Sequence, residues 1–235
     1  MSSRSGKGPS STRGLSVFVK TSKKRSPASA AWLTRQLNDP YVAAAKAQGW
    51  RSRAAFKLIE LDDRYHVLKP GSIVVDLGAA PGGWAQVAVK RGAAKVLGLD
   101  LLPIDPLYGA TFVEGDFNDP DMPARLIGML GGKVDVVLSD MAPNTTGHAA
   151  TDHLRIIALA ELALEFASQI LAPGGSFAAK VFQGGTEGLM LAPMKRMFTK
   201  VLHVKPPASR KDSSELYVLA MGFRGADPGP AEPDA

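Results

Sequence analysis

The sequence predicts an α/β protein: an open, doubly wound, mostly parallel sheet of seven strands with an antiparallel last strand. Three observations carry this. Short apolar runs alternate with helical stretches along the body of the chain, the pattern of repeated strand–helix units. A glycine-rich turn, Asp76-Leu77-Gly78-Ala79-Ala80-Pro81-Gly82-Gly83-Trp84, follows the first strand. The last two strand candidates are joined by about ten residues with two prolines and no helical pattern, which specifies a hairpin and so reverses the final strand.

Residues 1–28 are rich in Ser, Gly, Lys and Arg and read as a disordered basic arm. Asp39-Pro40 is an N-cap followed by proline at the first helical position, starting a short helix that Gly49 ends. Arg51 to about Arg64 reads as a second helix, with Ala54, Leu58 and Leu61 on one face and Lys57 between them and the basic side. Strands are expected at Ser72–Leu77, Lys95–Leu99, Thr111–Glu114, Val134–Ser139, Gly175–Phe182, Val201–Lys205 and Leu216–Met221, with a long helix from about Asp152 to Leu171. The acidic, proline-rich stretch 225–235 reads as a second disordered segment, leaving 29–224 as one folded domain.

Composition removes several classes. The chain has no cysteine, which excludes disulfide scaffolds, thiol catalysis and thiolate metal sites. Its four histidines, His66, His148, His153 and His203, show no zinc spacing, and no metal is expected. No apolar run reaches the roughly 18 residues of a membrane span, and no apolar secretory core follows the N-terminus. A soluble, cytoplasmic protein without membrane contact is expected. The net charge of +6 is uneven: residues 1–28 carry seven bases and no acid, and the last eleven carry three acids and no base. A nearly neutral body with a basic arm suits a polyanionic partner, and it equally suits a solubilising tail.

In a doubly wound sheet, ligands bind beyond the carboxyl ends of the strands, where strand order reverses. Acids stand at three such ends. The glycine-rich turn after Asp76 lets backbone approach a ligand, although it is not GxGxxG. Asp100 ends the second strand, where an acid can accept from both ribose hydroxyls of an adenosine. Asp116, after the third strand, can accept from an adenine amino group. Asp140 ends the fourth strand, expected beside the first and near the Gly82 loop. The fifth strand carries Lys180 within an apolar run, an unusual place for a lysine unless its head reaches solvent. Glu215 begins the antiparallel last strand and so belongs at the same rim. The placement of Lys57 over that rim does not follow from spacing.

Eight segments in order complete the pattern. They are Arg51–Leu58, Asp76–Trp84, Asp100–Pro103, Gly115–Phe117, Ser139–Asn144, Leu171–Phe177, Lys180–Gly184 and Glu215–Tyr217. Together they resemble the FtsJ/RrmJ (RlmE) ribosomal RNA 2′-O-ribose methyltransferases over about Ser26 to Phe223. The resemblance implies a Rossmann-like fold that uses S-adenosyl-L-methionine. By motif, Gly82 and Trp84 line the cofactor site, Asp100 takes the ribose, Asp116 the adenine and Asp140 the methionine end. It further implies a catalytic tetrad of Lys57, Asp140, Lys180 and Glu215. The expected substrate is a uridine of large-subunit ribosomal RNA, in the assembled large subunit, and the expected state a monomer. Departures from the family pattern lie in the basic arm, in Gly184-Gly185-Thr186 and in Arg210–Ser214.

A ribose 2′-hydroxyl is a poor nucleophile until its proton has somewhere to go, and neutral Lys180 is the expected acceptor. A free lysine is protonated at pH 7. Burial, the charge of Lys57 and the sulfonium favour the neutral amine, whereas Asp140 and Glu215 oppose it. Candidate RNA contacts are Arg51, Arg53, Lys195, Arg196, Lys200, Lys205, Arg210 and Lys211, with Trp50 as a stacking or core residue. Thr146–His153 is a candidate loop beside Asp140. Two alternatives remain within RNA biology: a methyltransferase of transfer RNA or a messenger cap, and a catalytically silent RNA-binding assembly factor. A dinucleotide oxidoreductase is disfavoured by the Gly82-Gly83 turn.

Overall fold

The computed structural model describes residues 26–143, 146–183 and 190–226. Most of the basic arm, most of the acidic tail, Asn144 and Gly184-Gly185-Thr186 lie outside the described residues. The chain order is α1 (Pro27–Leu37), α2 (Pro40–Gln48), α3 (Ala54–Tyr65), β1 (Ile73–Leu77), α4 (Gly83–Lys90), β2 (Lys95–Asp100), β3 (Ala110–Glu114), α5 (Met122–Leu130), β4 (Val134–Ser139), α6 (Ala149–Ile170), β5 (Leu171–Phe182), α7 (Leu191–Met197), β6 (Phe198–Val204) and β7 (Glu215–Phe223).

All seven strands join one sheet in the order β3-β2-β1-β4-β5-β7-β6. Neighbours from β3 to β5 pair in parallel, and β7 runs antiparallel between β5 and β6. Strand order reverses between β1 and β4, which opens the crevice at that switch point. Alternation along each strand feeds two cores. Val75, Leu77, Val137, Phe177 and Val218 pack under α5, α6 and α7. Val74, Val136, Ala178, Tyr217 and Leu219 face the other way, onto Leu58, Leu61 and Trp84 of α3 and α4.

The short helix begins and ends where the sequence places it. Asp39 caps α2 by accepting from the Tyr41 N–H at 3.0 Å, and Gly49 closes it in the left-handed region at φ 70°. Helix α1 was absent from the sequence reading. Its N-cap is Ser26, which accepts from the Ser29 N–H, and Pro27 takes the first turn, so it starts two residues inside the expected arm. Strand β5 begins at Leu171 and β6 at Phe198, each earlier than expected. The Thr146–His153 stretch is half helical, because α6 starts at Ala149 and Asp152 accepts at 2.8 Å from both the N–H and the hydroxyl of Thr146.

Candidate active site

The ends of β1, β2, β3 and β4 surround a cleft of about 510 Å³, lined among others by Gly78, Asp100, Leu101, Asp116, Asp140 and Met141. Its floor is tight: a Cβ on Gly78, at φ 78°, would stand 2.7 Å from the Met141 backbone nitrogen, so only glycine lets β1 and β4 meet there. Backbone N–H groups orient the acids. Asp100 accepts from the Ala80 N–H (2.8 Å) through one oxygen and from the Leu102 N–H (3.0 Å) through the other. Asp116 Oδ1 accepts from the backbone and side-chain N–H groups of Asn118, which hold its carboxyl below the usual range. Asp116 also lines the cleft, where its carboxylate can accept from a ligand.

Gly82 and Trp84 follow in the turn and helix after Gly78 and Ala80, which line the cleft. Gly82 caps α4 at φ 97°, where a Cβ would stand 2.7 Å from the Arg51 guanidinium. The Trp84 indole points into the core, donates to the Ala54 carbonyl at 2.8 Å and lies 5.5 Å from the Tyr217 ring. What these two positions can present to a ligand is backbone at a helix N-terminus, not a side chain.

At the other end of the cleft four charged side chains converge. Lys57, 6% exposed, projects from α3. Its ammonium donates to Glu215 Oε1 (2.8 Å) and Oε2 (2.9 Å) and to the Tyr217 hydroxyl (3.0 Å), and lies 3.9 Å from Asp140 Oδ1. Lys180 donates to Asp140 Oδ1 (2.9 Å) and to the Asp140 carbonyl (2.7 Å). Thus the structure brings Lys57, Asp140, Lys180 and Glu215 together at the rim. Burial by itself would raise the Asp140 carboxyl, but Lys180, then Lys57 and the Tyr217 hydroxyl outweigh it and keep it below its ordinary value. One residue missed by the sequence reading completes the cluster. Tyr217 donates to Asp140 Oδ1 at 2.6 Å, and its place two residues after Glu215 on one strand face was the signal available.

Asp76 lies beneath both regions. Its carboxylate is fully buried and has no well-formed hydrogen bond among the described residues, the Ala85 N–H being its nearest polar help. Burial first, then Asp140 and, more weakly, Asp100 push it up to about 8, against a pull from the Ala85 N–H.

Several basic candidates turn out to brace the fold. Arg51 donates to the carbonyls of Pro81, Asp105 and Pro106, tying the glycine-rich turn to the β2–β3 loop. Arg53 pairs with Asp39 at 2.8 Å and donates to the Ala208 carbonyl. Lys205 donates to the Lys211 and Ser213 carbonyls, and Trp50 is half-buried under the Lys90 ammonium, 3.9 Å from its ring centre. Arg210 shares Asp39 with Arg53, whereas Lys195 and Arg196 of α7 and Lys200 of β6 are exposed. Among the described residues no cluster of three metal-ligand side chains forms, and no helix is long and apolar enough to cross a membrane.

The sequence profile of the FtsJ-like methyltransferases matches residues 50–223, the segment that holds every residue of the cleft and the cluster. The chain belongs to this family. Among the relatives of this FtsJ-like methyltransferase is the ribosomal RNA large subunit methyltransferase E of Granulibacter bethesdensis, 70% identical over 216 residues that cover 92% of this chain and 94% of the relative. The protein of the same name from Gluconobacter oxydans is 68% identical over 212 residues, 90% of this chain and 79% of the relative. A Plasmodium falciparum protein described as a ribosomal RNA methyltransferase has a crystal structure that superposes with a TM-score of 0.66 at 32% identity, covering 75% of this chain and all of that one.

Proposed function

We propose that this protein transfers a methyl group from S-adenosyl-L-methionine to the ribose 2′-oxygen of a uridine in large-subunit ribosomal RNA, with the assembled large subunit as substrate. The observation that carries the reading is the Lys180–Asp140 contact at the wall of the acid-lined cleft. The donor set suits the cofactor: Asp100 and Asp116 offer oriented acceptors for an adenosine, and Asp140 offers a carboxylate for the ammonium of its methionine end. Bound there, S-adenosyl-L-methionine supplies an electrophilic methyl on a positively charged sulfur.

The protein's own residues then manage one proton. Asp140 engages Lys180 twice, through its carbonyl and its side chain, so the amine is held by both main chain and carboxylate. With two N–H groups so committed, neutral Lys180 would keep a lone pair to accept the proton of the 2′-hydroxyl, which makes that oxygen the nucleophile. Lys57 is engaged elsewhere, paired with both oxygens of Glu215 and donating to the Tyr217 hydroxyl. Before the proton is lost from Lys180, the two lysines balance the two carboxylates, Asp140 and Glu215, which lowers the cost of burying the cluster. Relatives named for the large ribosomal subunit support the substrate class. A single compact domain suits docking on a preformed particle.

The test supplies labelled cofactor to large subunits, and separately to naked ribosomal RNA, from cells lacking this protein, followed by nucleoside analysis. The expected product is one 2′-O-methyluridine on subunits, absent with Lys180→Ala. Label on another RNA, on another position of the nucleoside, or on naked RNA alone would overturn the substrate reading.

A further inference from the structure

We propose that Tyr217 is a positioning residue for this reaction: its hydroxyl, wedged between Lys57 and Asp140, keeps the two lysines unequal and leaves Lys180 as the one that exchanges a proton. The inference rests on the methyl-transfer reading of the site. Tyr217 is fully buried, and its ring is fixed against Trp84 at 5.5 Å. In the β5–β7 ladder it stands directly opposite Lys180, so strand pairing sets the separation of the two side chains.

The hydrogen-bond bookkeeping has one solution. Lys57 can only donate, so the Tyr217 hydroxyl accepts from it at 3.0 Å and spends its single proton on Asp140 Oδ1 at 2.6 Å. Burial first, then Asp140 and Glu215, push the phenol well above its ordinary value, so this proton stays. Lys57 thereby has its donors filled and remains 3.9 Å from Asp140 Oδ1, whereas Lys180 reaches that oxygen at 2.9 Å. A neutral donor on Oδ1 also withdraws negative charge from the carboxylate that Lys180 must leave behind when it loses its proton.

The charged and titratable groups of the cluster are Asp140 after β4, Lys57 on α3, and Glu215 and Tyr217 on β7; beyond them, Asp76 on β1 interacts with Asp140, and His153 of α6 lies against Phe182, two residues from Lys180. Removing only the hydroxyl leaves all these charges in place, with Lys57 still held by both oxygens of Glu215. Asp140 then bears more charge toward Lys180, which favours the protonated amine.

The experiment compares wild type with Tyr217→Phe for cofactor affinity by calorimetry and for kcat and KM on large subunits across pH. In the variant, kcat at neutral pH should fall roughly ten- to a hundred-fold, the scale of a hydrogen bond to a charged group. KM and cofactor affinity should hold, and the acid limb of the rate profile should move up by about one pH unit, so that alkaline pH restores turnover. A second variant carrying 2,3-difluorotyrosine at position 217 keeps shape and hydroxyl but donates more strongly, and its limb should move down. Wild-type kcat in the Phe variant, or a loss with no movement of the limb, overturns the inference. If the Phe variant does not fold, an unmoved limb in the fluorinated protein overturns it alone. A wild-type protein that transfers no methyl to RNA removes the underlying reading first, and the inference with it.

Discussion

The cleft between β2, β3 and β4 and the charged cluster between β4, β5 and β7 share a rim and share Asp140, but they are held together differently. In the cleft the donors lie nearer in sequence: Asp116 is oriented by Asn118 and Asp100 by Leu102, each two residues away, with Ala80 of the glycine-rich turn, 20 residues away, as a second donor to Asp100. In the cluster the partners lie far apart in sequence. Lys57 meets Glu215 across 158 residues and Tyr217 across 160. The cleft therefore depends on local turn chemistry, and the cluster on the assembled sheet and on α3 lying across it. Binding and proton transfer should separate on mutation, except at the shared residue.

The largest effect is expected from Lys180→Ala, which should lower kcat by about a thousand-fold or more while cofactor affinity stays within about three-fold. A parallel loss of cofactor binding, read by calorimetry, would show that the two regions are one. Asp100→Ala should do the reverse. Cofactor affinity should weaken about ten- to a hundred-fold as the Ala80 and Leu102 N–H groups lose their acceptor together with the ligand, while kcat at saturating cofactor is kept. Glu215→Gln should cost about ten-fold or less in kcat, because Glu215 contacts Lys57 and Ser209 but not Lys180.

The smallest effect concerns the layer beneath both regions. The Asp76 carboxyl is raised from 3.8 to about 8 in the folded protein, so the native state holds a proton that the unfolded chain releases between those values. Its contribution is fully present below about pH 4 and is lost as pH rises toward 8. Asp76→Asn should therefore be more stable than wild type by at least about 1 kcal/mol at pH 8, and the two should converge near pH 4. Melting curves at both pH values check this. A gap that widens toward low pH would mean that Asp76 is an ionised, paired group.

How much of this was legible in the sequence follows the same division. Asp39-Pro40 and Gly49 marked α2 because caps act within one turn, and the acids at the strand ends could be placed from topology alone. Ser26-Pro27 carried the same start signal for α1, but the basic, serine-rich composition around it read as disorder. Lys57 could not be placed over the rim by spacing, since that depends on how α3 crosses the sheet. The Trp84 indole turned inward for the same reason: helix packing, not the motif, decides which way it points. Arg51 and Arg53 read as candidate RNA contacts, and the carbonyls that occupy them come from loops brought near only by folding. Tyr217 was visible as part of Glu215-Leu216-Tyr217, yet its hydroxyl mattered only once Lys180 stood opposite.

The reversal of β7 has a consequence for how such a protein diversifies. A parallel strand reaches the working rim at its end and passes at once into a loop, so it anchors a single position firmly. A strand that enters from the rim offers its first same-face residues, Glu215 and Tyr217, already locked in a ladder with Phe182 and Lys180. The connection before it, from Lys205 to Ser214, can then lengthen, shorten or change charge while the reacting groups keep their register. The ladder sets where Tyr217 and Lys180 face each other, so that connection can vary without shifting this pair.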